Sequence, residues 1–170
     1  EDPDRSYRER KAYVYFLRRA LDLLAPNGLG VFLVPYGFMT GLTEELERLR
    51  RRILLRHHLI AAYRLPSDLF PGAMLVTDLL FFRARGGSLG EMAPADAAIV
   101  AGRYFREHPD HVLGREVGRS GDEDDQSKQP RWGYQVEGVF TALPDLPVPE
   151  RPMEGLVVAP DESAGAATQP

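Results

Sequence analysis

The sequence predicts an α/β fold that ends on an antiparallel strand and continues into a short irregular C-terminal extension. Three observations predict it. Apolar residues recur at helical spacing over 12–24 and again over 43–56. Each of these stretches is followed by a short β-rich run, "LGVFLVP" at 29–35 and "LIAAYRLP" at 59–66. A third apolar run, "AMLVTDLLFF" at 73–82, follows with only 12 residues between Arg64 and Thr77. A parallel crossover normally needs a helix, and no helical pattern lies there, so the third strand is expected to return antiparallel to the second.

The elements follow in chain order. In "AYVYFLRRALDLL", Tyr13, Phe16, Leu17, Ala20, Leu21 and Leu24 form an apolar stripe. "APNG" ends that helix, because Pro26 cannot continue it and Asn27-Gly28 tolerates left-handed backbone. The first strand is expected at 30–35, and "YGFMTG" after it is a glycine-rich loop. Thr43 reads as an N-cap, with Glu44, Glu45 and Glu47 in the first turn, where the helix dipole favours acids. Leu46, Leu49, Ile53 and Leu54 form the buried stripe of this helix, and Arg48, Arg50, Arg51, Arg52 and Arg56 fill its remaining surface. Strands at 60–64 and 76–83 complete an α/β layer whose helix-strand alternation argues for parallel pairing of the first two. Further on, "AAIVAGRYFREHPD" holds a short helix ending near Pro109, and "HVLGREV" and "YQVEGVF" read as short strands. The stretch 118–133 is polar and expected to be mobile, and 142–170 is a Pro- and acid-rich linker or tail. The resulting division is 1–86, a small α+β extension at 87–141, and the tail.

Composition limits the function classes. At 170 residues, with 44% hydrophobic and 27% charged residues, the chain can bury a sizeable core and is not of the disordered type. The absence of cysteine excludes a disulfide scaffold and a thiolate metal site, and fits a reducing, cytoplasmic setting. No apolar run reaches the ~18–20 residues that a bilayer span needs, so no membrane partner is expected. The opening "EDPDRSYRERK" has neither a start Met nor a signal peptide, and a piece of a longer protein is expected. Residues 1–58 carry 11 Lys+Arg against 8 Asp+Glu, whereas 121–170 carry 3 against 10. A mildly basic front half suits phosphate, and Arg48, Arg51 and Arg52 are the candidate DNA-phosphate contacts, weighed against plain solvation of a helix surface.

Four other features can carry chemistry. "LFPG" places Phe70 beside a Pro-Gly turn at the entrance to an apolar strand, where a ring either plugs the sheet end or faces a ligand. Thr77-Asp78 interrupts that strand, and whichever of the two points inward needs a partner. His108 and His111 have i, i+3 spacing, but Pro109 breaks the helix that would align them and no third ligand is near, so no metal is expected. Phe16 belongs to the apolar stripe of its helix.

The ordered set of a helix, "PNGLGVFLVP", a charged helix and "AAYRLPSDLFPGAMLVTDLLFF" resembles the C-terminal half of the catalytic domain of S-adenosylmethionine-dependent DNA adenine-N6 methyltransferases. The nearest type is the helicase-associated methylases of mobile elements and restriction-modification systems, and "YFREHPDHVLG" at 104–114 resembles a segment that follows their core. The resemblance covers about residues 10–115 and implies the second half of a Rossmann-like methyltransferase fold. It implies that Phe70, with Pro71, stacks on a flipped target adenine, and that Phe16 lines the adenine pocket of S-adenosylmethionine. It also implies DNA, the remaining N-terminal half of the domain and a helicase domain as partners. That family's Gly-rich cofactor loop and its Asn/Asp-Pro-Pro-aromatic tetrapeptide do not occur here, since the chain has no Pro-Pro and "GLG" precedes a strand instead of following one. Both would lie upstream of Glu1, so this chain alone is expected neither to bind the cofactor nor to catalyse. The alternative is a non-catalytic DNA- or helicase-binding module derived from a methyltransferase.

Overall fold

The computed structural model of the chain describes residues 3–85, 89–118 and 134–141. The 142–170 tail and, apart from Gly118, the loop expected at 118–133 lie outside these residues.

Helix α1 (Ala12–Asp22) leads into β1 (Leu29–Pro35), a single turn α2 (Gly37–Thr40), helix α3 (Glu44–Leu54), β2 (His57–Arg64) and β3 (Thr77–Ala84). The Thr43 side chain accepts from Leu46 N, so the cap read from the sequence forms. Asn27 takes the left-handed turn between α1 and β1, with φ 62°. β3 is antiparallel to β2, as the short link requires.

The first two strands do not pair with each other, contrary to the parallel pairing expected. They run in the same direction, but β3 lies between them in the order β1-β3-β2 and is antiparallel to both. The physical reason is pattern. β3 reads Thr-Asp-Leu-Leu-Phe-Phe, apolar on both faces, and such a strand belongs at the centre of a sheet.

One sheet face is packed by α1 and α3. Val34, Leu80, Phe82 and Ala62 meet Leu17, Leu21, Leu46, Leu49, Ile53 and Leu54 there. Most of the stripe read on α1 packs inward, Leu17 and Leu21 in the core with Tyr13 and Leu24 against it, but the helix is rotated so that Phe16 leaves the buried side. Its buried residues are Val14, Leu17, Arg18 and Leu21, while Phe16 is 66% exposed. Arg18 can occupy the buried side because Ser6 O and Glu9 accept from its guanidinium.

The helix expected before Pro109 is two short ones, α4 (Asp96–Val100) and α5 (Tyr104–Glu107), followed by a 3₁₀ turn, Pro109–His111. Gly102 divides them at φ 71°, a conformation no helix continues through. Ile99, Val100, Tyr104 and Phe105 join the main core. The strands read at 111–117 and 134–140 shorten to β4 (Arg115–Val117) and β5 (Gln135–Glu137), an antiparallel pair. Val76, Tyr134 and Val136 form a second cluster at the end of the sheet where β1 and β2 finish. Among the described residues no helix is long and apolar enough to cross a membrane.

Candidate functional site

The loop between β2 and β3 stands at that same end of the sheet. Its limbs are fixed by Leu65 N donating to Thr77 O at 2.9 Å and Leu75 N donating to Ser67 O at 2.9 Å. Its tip is a turn closed by Ala73 N donating to Phe70 O at 3.1 Å. Pro71 supplies the fixed φ at the second position, and Gly72 supplies φ 77° at the third, the signature of a type II turn. Phe70 is half-buried and absent from both core clusters, and Pro71 through Leu75 are exposed. Phe70 is therefore not a buried plug of the sheet. The turn carries a partly buried aromatic ring, and Met74 on its return limb is 63% exposed.

Beneath the loop lies a buried polar cluster. Arg64 Nε and Nη2 donate to Asp78 Oδ1 at 2.9 Å and Oδ2 at 3.1 Å, a two-point contact between adjacent strands. Arg64 Nη1 also donates to the Tyr134 hydroxyl at 2.9 Å, and that hydroxyl donates to Glu116. The Arg64 guanidinium packs 4.2 Å from the Phe105 ring centroid. Burial pushes the Asp78 carboxyl up to about 6, with Arg64 pulling it the other way. Burial works to lower Arg64, but Asp78 outweighs it and holds the guanidinium charged, above the ordinary arginine range. Asp78 thus has the partner its position demanded, supplied by the neighbouring strand. Thr77 Oγ1 is buried with no hydrogen-bond partner among the described residues.

The other candidates lie apart from the loop. Phe16 stands on the outward side of α1, edge-on to Tyr15 at 5.2 Å. Arg48 and Arg51 are exposed and sit 3.8 Å and 3.7 Å from Glu44 and Glu47. Arg48 and Arg52 line a groove of about 210 Å³ between α1 and α3, together with Glu9, Lys11 and Glu45. Since α3 ends at the start of β2, Arg51 and Arg52 lie toward the end of the sheet away from Phe70. Arg50, counted among the surface arginines from sequence, is instead 1% exposed and donates to Phe38 O, Gly41 O and Val100 O. Burial lowers its pKa to about 10, which leaves it charged at neutral pH. His111 is buried in stacked contact with Tyr63 and His108, and no metal-ligand cluster exists among the described residues.

Sequence reasoning missed Ser67, Arg64 and Tyr134. An Arg closing one apolar strand and an Asp opening the next were a readable sign of pairing. Nothing local marked Ser67, whose partner Val136 lies 69 residues away.

Residues 2–70 match the model of the Eco57I restriction-modification methylase family. The likeness to a DNA methyltransferase family, read first from motifs, is thereby shown over that stretch, which ends on Phe70. Two solved structures are partly similar. The M protein of the type I restriction enzyme EcoKI is 24% identical, with TM-score 0.41, over 44% of this chain and 15% of its own. A modification subunit of a putative type I restriction enzyme from Vibrio vulnificus YJ016 is 23% identical, with TM-score 0.42, over 49% of this chain and 19% of its own. The chain thus spans less than a fifth of either protein. No curated protein matches.

Proposed function

We propose that this chain supplies the target-base side of a DNA methyltransferase that moves a methyl group from S-adenosylmethionine to adenine N6. Its fold would be the second half of a Rossmann-like catalytic domain, of the helicase-associated, mobile-element type. The observation that carries this reading is the Phe70 turn: a half-buried ring outside both core clusters, beside the Pro71-Gly72 turn and at the end of the family-matched stretch. An enzyme acting on a base must unstack it, and an aromatic face recovers part of that cost. Pro71 would line the same contact. Phe16, exposed on α1, would face the cofactor's adenine once the remaining half of the domain is present. Arg48, Arg51 and Arg52 would meet phosphate through the α3 surface, Arg48 and Arg51 at the cost of their present pairing with Glu44 and Glu47.

A bare sheet edge supports the half-domain part. Leu29, Val31 and Leu33 of β1 point to solvent on the face away from α1 and α3, at 61%, 54% and 46% exposure. The N-terminal half of the domain would cover them. The fragment alone should therefore not hold S-adenosylmethionine, and a calorimetric titration returning a micromolar Kd would refute the half-domain reading.

In the complete enzyme, Phe70→Ala should weaken binding to DNA with an extrahelical target adenine by ~1–3 kcal/mol and lower turnover, with little change in melting temperature. A deeply buried Phe would instead cost ~3–5 kcal/mol of folding stability. Normal turnover in the folded variant would sink the assignment. It would favour a non-catalytic DNA- or helicase-binding module.

A further inference from the structure

Ser67 is 1% exposed, although it opens a loop. All three of its hydrogen-bonding groups are engaged. Its backbone N donates to Val136 O at 3.0 Å, and its Oγ accepts from Val136 N at 2.7 Å. Its carbonyl accepts from Leu75 N, on the return limb of the Phe70 loop. One residue therefore joins β5 on one side to the loop on the other. β5 is itself seated by Tyr134, whose hydroxyl lies between Arg64 and Glu116 and whose ring packs with Tyr36 at 5.2 Å. The tip, 70–74, makes no other backbone bond to the body of the protein among the described residues, and so hangs from Ser67 and Leu75.

We propose that the β4–β5 hairpin is a clamp that fixes where the Phe70 loop stands, with Ser67 as the positioning residue that transmits it and the ligand of the fixed loop an unpaired adenine in DNA. The hairpin lies wholly outside the family-matched residues 2–70, so this control comes from a part of the chain that the match does not reach. The ligand half of the proposal rests on the target-base reading above; the clamp half does not. A wide ring on a loop tip contributes to stacking only if the loop has been ordered before the base arrives, since ordering it then would subtract from the binding.

The test is amide hydrogen exchange on the full chain, followed by DNA binding. Ser67→Ala removes the acceptor for Val136 N but leaves the Ser67 carbonyl that Leu75 uses. Tyr134→Phe keeps the ring in its cluster and removes the hydroxyl between Arg64 and Glu116. If the hairpin clamps the loop, both variants lose protection at Ala73 N and Leu75 N by roughly tenfold, the scale of one net hydrogen bond, with strand β3 amides unchanged. Ser67→Thr, which keeps a hydroxyl, restores it. Unchanged exchange at Ala73 and Leu75 in the folded variants overturns the clamp; should Ser67→Ala not fold, Tyr134→Phe alone decides. For the ligand, Ser67→Ala and Phe70→Ala should both weaken binding to a duplex with one unpaired adenine and spare the fully paired duplex. If Phe70→Ala leaves that preference intact, the base reading fails, while the exchange result still judges the clamp.

Discussion

Along the outer edge of β2, the backbone is answered group by group. Ala62 N donates to the Tyr104 hydroxyl at 3.1 Å, His111 Nδ1 lies 3.1 Å from Ala62 O, and Leu113 N donates to Arg64 O at 2.9 Å. Along the outer edge of β1 no strand or loop does this among the described residues, and Leu29, Val31 and Leu33 stand in solvent beside it. The two outer strands are alike in length and in apolar content, so the difference lies in what the chain wraps around them. Residues 104–113 close the β2 side, as proteins close edges to block wrong pairing. Nothing described closes the β1 side, which is where a sheet that continues in another segment would continue.

The largest effect expected is on the closed side. Asp78→Ala leaves Arg64 buried without its carboxylate and should cost about 3–5 kcal/mol in urea melts. Replacing both, as Arg64→Met with Asp78→Leu, should recover much of that, which would show that the charge and not the volume was at stake. A loss under 1 kcal/mol for Asp78→Ala would break the comparison, because the side taken as closed would then be as tolerant as the open one.

Next comes the cap on β2. Tyr104→Phe leaves Ala62 N with no hydroxyl to donate to, an expected cost of about 1–3 kcal/mol. Faster exchange at the Ala62 amide should accompany it.

A smaller effect is set by pH at the start of β2. His57 Nε2 lies 2.9 Å from Asp22 Oδ1, whose other oxygen accepts from the Tyr7 hydroxyl at 2.7 Å. Burial lowers the His57 pKa, with Arg56 and Arg85 adding to it and Asp22 opposing. Burial works to raise Asp22, but the bonds from Tyr7 and His57 outweigh it and hold the carboxyl below its ordinary value. Below about 6.5 the unfolded chain takes a proton on His57 that the folded protein refuses, so stability should fall as pH drops from 7 toward 5. The melting temperature of His57→Gln should vary less over that window; an equal slope would remove His57 from the account.

The smallest change is expected on the open side. Val31→Lys should alter the stability of this chain by no more than about 0.5 kcal/mol, because the side chain it replaces already faces water. Sedimentation should show less self-association, since a charged edge resists pairing. A large destabilisation would mean that the β1 face is covered in solution.

Much of this was legible in the sequence because it is local. The Thr43 cap, the Asn27 turn and the antiparallel return of β3 follow from residues within a few positions of one another, or from a link too short for any other path. The family likeness also rests on contiguous motifs, and the match over 2–70 agrees with it. The packing side of α1 was legible through Leu17, Leu21, Tyr13 and Leu24, but not its rotation, which exposes Phe16 and buries Arg18 with Ser6 O and Glu9 as acceptors.

The sequence by itself determined the segments, their order and an aromatic turn at Phe70, since backbone propensity and loop length act over short distances. Tertiary structure alone decided that β3 divides β1 from β2, that Arg50 goes inward to three carbonyls, and that Val136 reaches back to Ser67. The last two depend on a buried polar group finding a partner as far off as Val100, 50 residues from Arg50, or Val136, 69 from Ser67, and burial makes such a partner obligatory without saying in the sequence where it will be found.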